Sequence, residues 1–415
     1  VSIKAVCFQI YLEEIFMEAA NFGNLKIGEG FPVKIFAVLN VGPESFYKGS
    51  IRTSPKEIKD YAVKLIEEGA DYIDIGAAST APPELYGTQP VSQEEELKRV
   101  VEAVKAVREV TDFPISIDTQ RANVAEAALS KGANAINDVS GFKSDPLLPK
   151  IAAEYDAPVI LMAAKKKPGD AQTIDEVRES LKNSIQISKE AGIDQKKIVV
   201  DPGIGFGKPF ESDLALIRDL NRLKTLLKPI MVAVSRKYFI GQVLGLKNPE
   251  DRLNGSLAAT AIAVFNGANA IRTHDVKQTR EAVKVAEAIA KTSKKSETPN
   301  YKALELNFIK ETTDAGEIMD TLNVSEEGIQ LMKEKTVNHN ILLSGITAPA
   351  ALSLKQHMLS VGGDVAIPKG VIDFEVKRCN VLLMGTTKQI KRIIPKIKKN
   401  YFGLPEVAEL LLNLL

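Results

Sequence analysis

The amino-acid sequence predicts an α/β fold: a (β/α)₈ (TIM) barrel with an N-terminal hairpin and a small C-terminal α/β accessory domain. Three observations support this prediction. Eight short runs of β-branched residues recur, each followed by a loop and a longer amphipathic segment. Several of these segments end in Gly-Ala just before the next run, as a helix C-cap requires. The repeats extend over roughly 260 residues, the usual length of such a barrel. An open doubly wound sheet is the alternative.

The eight predicted strands are separated by segments that carry helix start signals. Ser54 is placed to cap a helix with Pro55 at its first position, and acids fill the first turn of the segment that begins at Ser92. The predicted strands are residues 34–40, 72–77, 114–119, 135–140, 158–163, 198–203, 230–235 and 270–275.

The pattern changes on either side of the predicted barrel, which spans 34–291. Residues 1–33 include Gly28-Glu29-Gly30, and we interpret this segment as a hairpin that leads into the first strand and closes the barrel floor. The polar residues 292–300 are predicted to be a linker. Residues 301–415 mix helical and strand patterns and are predicted to form the accessory domain.

The composition is that of a soluble globular protein, with 45% hydrophobic and 26% charged residues. A formal net charge of +1 gives no reason to expect a nucleic-acid or membrane partner. Cys7 and Cys379 have neither metal-binding nor disulfide spacing. No apolar run reaches the roughly 18 residues of a membrane span, and the first residues lack a signal-peptide pattern, so we expect a cytoplasmic protein.

A glycine-rich stretch, IVVDPGIGFGK, runs from Ile198 to Lys208. It is not a P-loop, because Pro202 occupies the position of the first glycine and Pro209 follows Lys208. It is not a dinucleotide fingerprint either, because Lys208 stands where the third glycine is needed. The stretch instead places Asp201 at the end of a buried strand, next to a loop that must approach something closely.

Polar side chains also stand at the ends of other predicted strands, where barrels of this type carry their active sites. Asp118, Asn137 and Asp201 are hydrogen-bond acceptors, and buried acceptors need a donor. The amino-pyrimidine edge of a flat heterocycle supplies such donors. A strand-end aspartate can instead simply cap the following helix, and this alternative stays open here.

Basic residues gather at the ends of the last two predicted strands. Lys237, Arg272 and His274 stand where barrels of this type usually hold a phosphate. Asn40, at the end of the neighbouring first strand, is placed to orient a diphosphate or a hard cation bound to it. His274 can alternatively be a structural histidine. The sequence therefore predicts a ligand with a heteroaromatic end and an anionic end.

Several motifs, in this order and spacing, resemble the dihydropteroate synthase family. They are FAVLNVGPESF, YIDIGAAST, ISIDTQRANVAEAAL, AINDVSG, VDPGIGFGK, SRKYFIG and NGSLAATAIAVFNGANAIRTHDV. The resemblance covers residues 34–290. It implies a transferase that joins a (dihydropterin-6-yl)methyl diphosphate to an arylamine such as p-aminobenzoate and releases diphosphate, with Mg²⁺ as cofactor and a homodimer as the assembly.

The resemblance also implies roles for individual residues, with the pterin edge held by the three strand-end acceptors. The residues implied in substrate binding are Asp118, Asn137, Asp201, Phe206, Lys237, Met162 and Thr80. The residues implied in catalysis are Asn40, Lys237, Arg272 and His274, and Asn40 is also the implied ligand of Mg²⁺. Cations preset at the leaving diphosphate stabilise the transition state more than the ground state, because negative charge grows there.

The sequence departs from the family pattern mainly on the side of the second substrate. Ala81 stands in place of a loop arginine, Ala163 in place of the histidine of a Met-His-Met motif, and Tyr238 in place of a serine near the aminobenzoate. Gly42 and Glu44 replace the usual Thr and Asp of the first loop. At this point we therefore favour a different arylamine, such as the ribosyl-aminobenzene phosphate of a methanopterin-type pathway.

Three points stay open. The basic loop 165–167 either meets the extra phosphate of a ribosylated arylamine or is solvated. Pterin-binding barrels also occur as methyltransferases that pass a methyl group to a corrinoid, although these have no use for the cations at Lys237, Arg272 and His274. The loss of the arginine at Ala81 is also compatible with a non-catalytic pterin-binding protein.

Overall fold

The computed structural model describes residues 19–45, 47–79, 90–290, 295–297, 302–373 and 375–415. These residues form two compact units, one that ends at Glu305 and one that begins at Leu306. None of the helices in these ranges is long and apolar enough to span a membrane.

A two-stranded hairpin opens the first unit, with β1 at Ala20–Phe22 and β2 at Leu25–Ile27. Its turn lies at Gly23-Asn24 and not at Gly28-Glu29-Gly30, because Gly23 has the positive φ, 60°, that a two-residue turn requires. Phe22 packs edge-on against Phe36 and Tyr72, with centroid distances of 6.1 and 5.9 Å. Together with apolar residues near the starts of the barrel strands, the hairpin fills the barrel floor.

Eight parallel strands form the barrel, which confirms the predicted (β/α)₈ fold. They are β3 (Lys34–Asn40), β4 (Tyr72–Gly76), β5 (Ile115–Asp118), β6 (Ala135–Asp138), β7 (Val159–Met162), β8 (Ile198–Asp201), β9 (Met231–Val232) and β10 (Ala270–Thr273). They pair in the order β8-β7-β6-β5-β4-β3-β10-β9, and a parallel bridge between Val200 and Ile230 closes the ring. Every residue of β4 to β8 is buried, as expected for strands covered on both faces.

Helices surround the barrel and bury their apolar faces against the strands in one continuous core. Ser54 caps the first helix by accepting from the backbone of Glu57, and Pro55 is the first helical residue. In the described residues of this first unit the α-helices are α1 (Pro55–Glu67), α2 (Gln93–Arg108), α3 (Ala122–Ser130), α4 (Leu148–Glu154), α5 (Ile174–Glu190), α6 (Phe210–Arg218), α7 (Tyr238–Leu244), α8 (Leu253–Phe265) and α9 (Val276–Ile289). The short strands β11 (Lys295–Glu297) and β12 (Lys302–Leu304) then pair with each other.

The second unit is a small α/β structure with its own apolar core. Its sheet is antiparallel with the order β13-β15-β14, and the helices contribute fully buried residues such as Leu354, Ile390 and Leu411. Its elements are α10 (Thr312–Thr321), α11 (Glu326–Met332), β13 (Asn338–Thr347), α12 (Ala348–Leu359), β14 (Asp364–Ala366), β15 (Arg378–Thr386), α13 (Thr387–Ile397) and α14 (Leu404–Leu414).

Candidate active site

The polar residues at the strand ends lie together at the carboxyl end of the barrel. In the strand register, Asn40 of β3 lies beside Gly76 of β4, and Gly76 lies beside Asp118 of β5. Asp118 in turn lies beside Asn137 of β6. Asp201 ends β8 beside Met162 in β7. The register therefore brings these side chains to the end of the barrel where the βα loops form active sites.

An ion-pair network joins β10 to β4 and β5. Arg272 donates from Nη2 to Asp118 Oδ2 at 2.9 Å and from Nε to Asp74 Oδ2 at 2.6 Å. Asp74 is completely buried and also accepts from Ser116 Oγ at 2.6 Å and from Asn137 Nδ2 at 3.3 Å. Two carboxylates persist in this interior because Arg272 is paired with both of them.

Sequence reasoning did not identify Asp74. It lies in the middle of β4, two residues before Gly76, whereas the search was confined to strand ends. The available signal was an acid inside an otherwise apolar strand, because a buried carboxylate needs a partner. The network also shows that two nitrogens of Arg272 are bound to carboxylates of the protein.

One oxygen of Asp118 has no partner among the described residues. Its Oδ1 is buried and receives no hydrogen bond from the residues that the structure describes. Burial raises the pKa of Asp118 to about 7 against the opposing attraction of Arg272, and Asp74 adds to the increase. A buried acceptor without a donor calls for a ligand that supplies one.

The raised pKa of Asp118 predicts how stability changes with pH. A carboxyl group with a higher pKa in the folded state contributes stability below its unfolded pKa, about 4, and this contribution is lost as the pH rises through its folded pKa of about 7. We expect the free energy of unfolding of the wild type to fall, relative to that of Asp118→Asn, between about pH 4 and pH 7. Urea denaturation at a series of pH values checks this, and parallel pH profiles for the two proteins would contradict it.

The glycine-rich loop after β8 is fastened to Asp201 and Lys237. The backbone N–H of Gly203 donates to Asp201 Oδ1 at 2.7 Å, and Lys237 Nζ donates to the carbonyl of Ile204. The same ammonium lies 4.4 Å from the ring centroid of Phe206. The loop therefore holds an acid, a base and a half-buried aromatic ring next to one another.

Burial shifts Asp201 and Lys237 toward their neutral forms. It raises the pKa of Asp201 although Lys237 opposes the shift, and it lowers the pKa of Lys237 to about 8 although Asp201 opposes it. The charge of Arg272 acts on the pKa of both groups, so the Arg272 network and the glycine-rich loop belong to one site. Gly205 is required here, because its φ is 78° and a Cβ would lie 2.3 Å from Lys237 Cδ.

The loop after β7 contacts the glycine-rich loop at Gly169. This residue has φ 90°, and a Cβ would lie 1.8 Å from the carbonyl oxygen of Phe206. The backbone amides of residues 165–167 donate to the carboxylate of Asp170 at 2.7, 2.8 and 3.1 Å. Lys165 Nζ pairs with Glu176 at 2.9 Å. The basic loop is thus folded around an acid and partly neutralised.

We expect Gly169→Ala to destabilise the protein, because the added methyl group displaces the carbonyl of Phe206. Gly192→Ala is a matched control, since Gly192 has φ 87° and no atom within 4 Å of its Cβ position. The control should lose about 1 to 2 kcal/mol for its left-handed backbone alone, and Gly169→Ala should lose more. Urea denaturation measures the loss of stability in both variants. Equal losses in the two variants would exclude a role for the contact.

Arg236 lies beside Lys237, after the seventh strand of the barrel, and has a structural role. It donates to both carboxylate oxygens of Asp275, at 2.8 and 2.7 Å, and to the carbonyls of Pro249 and Glu250. Its guanidinium also lies 4.5 Å from the ring centroid of Tyr47, a residue of the loop after β3. Arg236 therefore ties three loops together.

His274 is buried at the same end. Its Nδ1 lies 2.9 Å from Ser235 Oγ, and its ring meets that of Tyr47 edge-on at a centroid distance of 5.1 Å. Burial lowers the pKa of His274 well below its usual value, and the neighbouring charges of Arg272 and Arg236 add to the shift. The imidazole is therefore neutral at physiological pH.

Asn40 has an oriented side chain. Its Nδ2 donates to the hydroxyls of Ser45 and Ser50, both at 2.8 Å, and a Cβ on Gly76 would lie 3.0 Å from its Oδ1. Mg²⁺ prefers oxygen ligands and is often held by one or two protein oxygens together with substrate phosphates. In the described ranges no cluster of three or more His, Cys, Asp or Glu residues is arranged to hold a metal. Asn40 Oδ1 thus fits a cation that binds together with a phosphate.

Two residues singled out by the sequence, Thr80 and Ala81, lie outside the described residues. Tyr238 is the first residue of α7 and is 38% exposed. Glu44 accepts from Arg99 of α2 at 3.0 Å, so the loop after β3 is anchored to a helix.

Comparison with known proteins gives the family. The family described as "Pterin binding enzyme" matches residues 36–274. The dihydropteroate synthase of Clostridium beijerinckii is 39% identical over 276 residues, which cover 65% of this chain and 99% of that protein. The dihydropteroate synthase of Bacillus subtilis is 37% identical over 255 residues, which cover 61% of this chain and 88% of that protein.

Solved structures agree. The dihydropteroate synthase of Xanthomonas albilineans with 4-aminobenzoic acid has a TM-score of 0.59 and 35% identity, and it covers 66% of this chain and 98% of its own. The enzyme from the same organism in complex with 7,8-dihydropteroate has a TM-score of 0.57 and 33% identity, with 65% and 98% covered. The family match spans more than half of the chain and includes every strand-end residue of the site. The relatives and solved structures named above are dihydropteroate synthases, and the chain belongs to the pterin-binding enzyme family.

Proposed function

We propose that this protein is a dihydropteroate synthase-like transferase, which condenses a (dihydropterin-6-yl)methyl diphosphate with an arylamine and releases diphosphate. The observation that carries the proposal is the buried, unpartnered Oδ1 of Asp118 in the described residues, on a rim that also carries Asn137 and Asp201. The relatives named dihydropteroate synthase support the same reaction.

The pterin edge is assigned to the acceptors of β5, β6 and β8. Asn137 donates from Nδ2 to Asp74, so its Oδ1 is the atom that accepts from the pterin. Asp118 Oδ1 and Asp201 provide the other acceptors. Lys237 and Phe206 lie at the glycine-rich loop, where a cation and an aromatic ring suit the face and the ring nitrogens of a pterin. Met162, whose Sδ lies 3.1 Å from the Cβ position of Gly203, packs against that loop.

The diphosphate is assigned to the opposite end of the ligand. Because two nitrogens of Arg272 bind Asp74 and Asp118, we assign its Nη1 to the diphosphate, together with His274. Asn40 Oδ1 is the proposed protein ligand of Mg²⁺, which neutralises part of the diphosphate charge when bound. The guanidinium of Arg272 stabilises the charge that grows on the leaving group as the C–O bond breaks. An aromatic amine is already nucleophilic, so the site needs no strong base to activate it.

For the arylamine we propose p-aminobenzoate in the first place, because a related enzyme was solved with 4-aminobenzoic acid. A ribosyl-aminobenzene phosphate remains the second candidate. The sequence favoured this ribosylated amine because the basic loop 165–167 could bind its phosphate. The structure weakens that argument, since Asp170 and Glu176 neutralise part of the charge of residues 165–167.

The proposal is tested by supplying the pterin diphosphate and Mg²⁺ with each arylamine and measuring diphosphate release and the pterin product. We expect release that depends on p-aminobenzoate. Diphosphate release with the ribosylated amine alone would make that amine the substrate. If neither amine leads to diphosphate release, the proposed synthase activity is wrong. Titration of the pterin diphosphate with and without Mg²⁺ provides the control: tight, metal-independent binding without turnover is the result expected of a pterin-binding protein that is not an enzyme.

We also propose that the protein is a homodimer through its last barrel helices. Four apolar side chains on α8 and α9 are more than half exposed: Ile262, Phe265, Val285 and Ile289. Burying such a patch against a second copy removes apolar surface from water. Light scattering after gel filtration tests this, and a monomer at micromolar concentration would exclude it.

A further inference from the structure

Asp213 has a buried carboxyl group that contacts the glycine-rich loop. It lies in the first turn of α6 and is only 3% exposed. Its Oδ1 accepts from the backbone N–H of Gly205 at 2.8 Å. Burial raises the pKa of Asp213, while the hydrogen bond from Gly205 and the charges of Lys208 and Lys237 oppose the increase. Because a buried acid is unfavourable without such contacts, they indicate what Asp213 does.

Four side chains bind the backbone of three consecutive residues in this loop, 203–205. They are the side chains of Asp201, Lys208, Lys237 and Asp213. Among these four, Asp213 is the one that lies within a helix. It therefore fastens the loop to α6, whereas the others belong to a strand end or to loops.

Asp213 and Lys237 bind opposite ends of one peptide group. Lys237 Nζ donates to the carbonyl of Ile204, and Asp213 accepts from the N–H of Gly205, which belongs to the same peptide bond. Hydrogen bonds in a chain of this kind polarise and strengthen one another. The Lys237 ammonium also lies 4.4 Å from the ring centroid of Phe206, the next residue of the loop. A change at Asp213 therefore reaches Lys237 through a single peptide group.

The charged groups that act on the pKa of Lys237 come from four parts of the barrel. Burial lowers this pKa to about 8; two carboxylates oppose the shift and two cations add to it. These groups are Asp201 of β8, Asp213 of α6, Arg272 of β10 and Lys208 of the glycine-rich loop. Removing the charge of Asp213 should therefore lower the pKa of Lys237 further, because one of the two opposing carboxylates is lost.

We propose that Asp213 is a positioning residue of the pterin site, which holds the peptide group that binds Lys237 and supplies a second negative charge for its ammonium. The first role places the loop and the aromatic ring of Phe206, and the second keeps the cation charged. That Lys237 contacts a pterin rests on the proposed function. The contacts of Asp213 lie within the protein and do not depend on the ligand.

The charge of Lys237 is measurable without substrate. Full-length protein is labelled with ¹³C at the lysine Cε atoms, and the signal of Lys237 is identified by its absence in Lys237→Met. We expect a titration midpoint of about 8 in the wild type. The midpoint should be about one pH unit lower in Asp213→Asn, which keeps an oxygen for Gly205 and loses the charge.

Glu211→Gln is the matched control for this titration. Glu211 is an exposed acid in the same turn of α6, so its removal takes one negative charge from the same helix end. The midpoint of Lys237 should stay at its wild-type value in this control. An unchanged midpoint in Asp213→Asn would overturn the proposal.

Steady-state kinetics with the pterin diphosphate, p-aminobenzoate and Mg²⁺ test the positioning role. Turnover of the wild type should fall as the pH rises above about 8, and in Asp213→Asn this fall should begin at lower pH. Asp213→Ala removes the acceptor as well as the charge, so its KM for the pterin diphosphate should rise about tenfold, and that of Asp213→Asn should rise less.

A wild-type KM in Asp213→Ala would exclude the positioning role. If that variant does not fold, the pH profile of Asp213→Asn decides, and a profile identical to that of the wild type excludes the role. If the midpoint of Lys237 falls in Asp213→Asn but the wild type releases no diphosphate, the proposed function fails while the effect of Asp213 on Lys237 stands.

Discussion

Replacing Arg272 by methionine is expected to lower the free energy of unfolding by about 3 to 5 kcal/mol, because two buried carboxylates lose their shared cation. Asp74 is completely buried and Asp118 is 6% exposed, so water cannot replace the lost ion pairs. Methionine keeps most of the side-chain volume, which separates the loss of charge from the loss of packing. Urea denaturation at pH 8, above the pKa of about 7 of Asp118, measures the effect.

A matched control is Arg218→Met, since Arg218 pairs with Asp219 on the surface and its side chain is 73% exposed. Exposed ion pairs contribute little, so this variant should unfold like the wild type. Adding Asp74→Asn and Asp118→Asn to Arg272→Met removes all three charges and should restore much of the lost stability. The ion-pair explanation fails if Arg272→Met is no less stable than the Arg218 control.

Lys237→Met is expected to reduce turnover by about 10² to 10³-fold, the range seen when a preorganised polar group is removed from an active site. The aliphatic stem of Lys237 lies against Gly205, and methionine retains this packing while removing the ammonium group. The variant also removes the largest of the cationic charges that oppose the raised pKa of Asp201, while Lys208 and Arg272 remain, so the pKa of Asp201 should rise further. Diphosphate release with saturating pterin diphosphate, p-aminobenzoate and Mg²⁺ measures the change.

Lys131→Met serves as the control for the loss of a lysine charge, because exposed Lys131 follows α3 at the opposite end of its helix from the site. It should retain full activity. Unfolding curves distinguish a folded, inactive Lys237→Met from a misfolded one. Turnover within twofold of the wild type would remove Lys237 from the proposed site.

The barrel was predictable because its signals are local. Each strand is an apolar run that is covered on both faces, and each strand end is marked by a change to polar residues such as Asp118 and Asp201. The position of the hairpin turn was harder to predict, since Gly23-Asn24 and Gly28-Glu29-Gly30 are both plausible turns in the sequence. Only the pairing of Phe22 with Leu25 decides between them.

The connections within the site were not predictable from these signals. The sequence correctly predicted that Arg272 lies near the end of β10. Its contacts with Asp74 and Asp118 could not be predicted, because they depend on the register of β3, β4 and β5 in the folded barrel. Asp74 was missed for the same reason, since a mid-strand acid is meaningful only once its partner is known. The contact of Gly169 with Phe206 joins two loops whose approach no local pattern encodes.

The hairpin on the barrel floor has a consequence for how the polypeptide matures. Phe22 and Ile27 are synthesised before all of the barrel strands, yet the residues that bury them include Met231 and Ala270, which belong to the last two barrel strands to be made. These apolar side chains therefore lack some of their packing partners until the last barrel strands have been made. Apolar surface that is exposed during synthesis makes a nascent chain prone to aggregate. Cells that make this protein should depend on chaperone binding to its first described residues until the final strand has emerged.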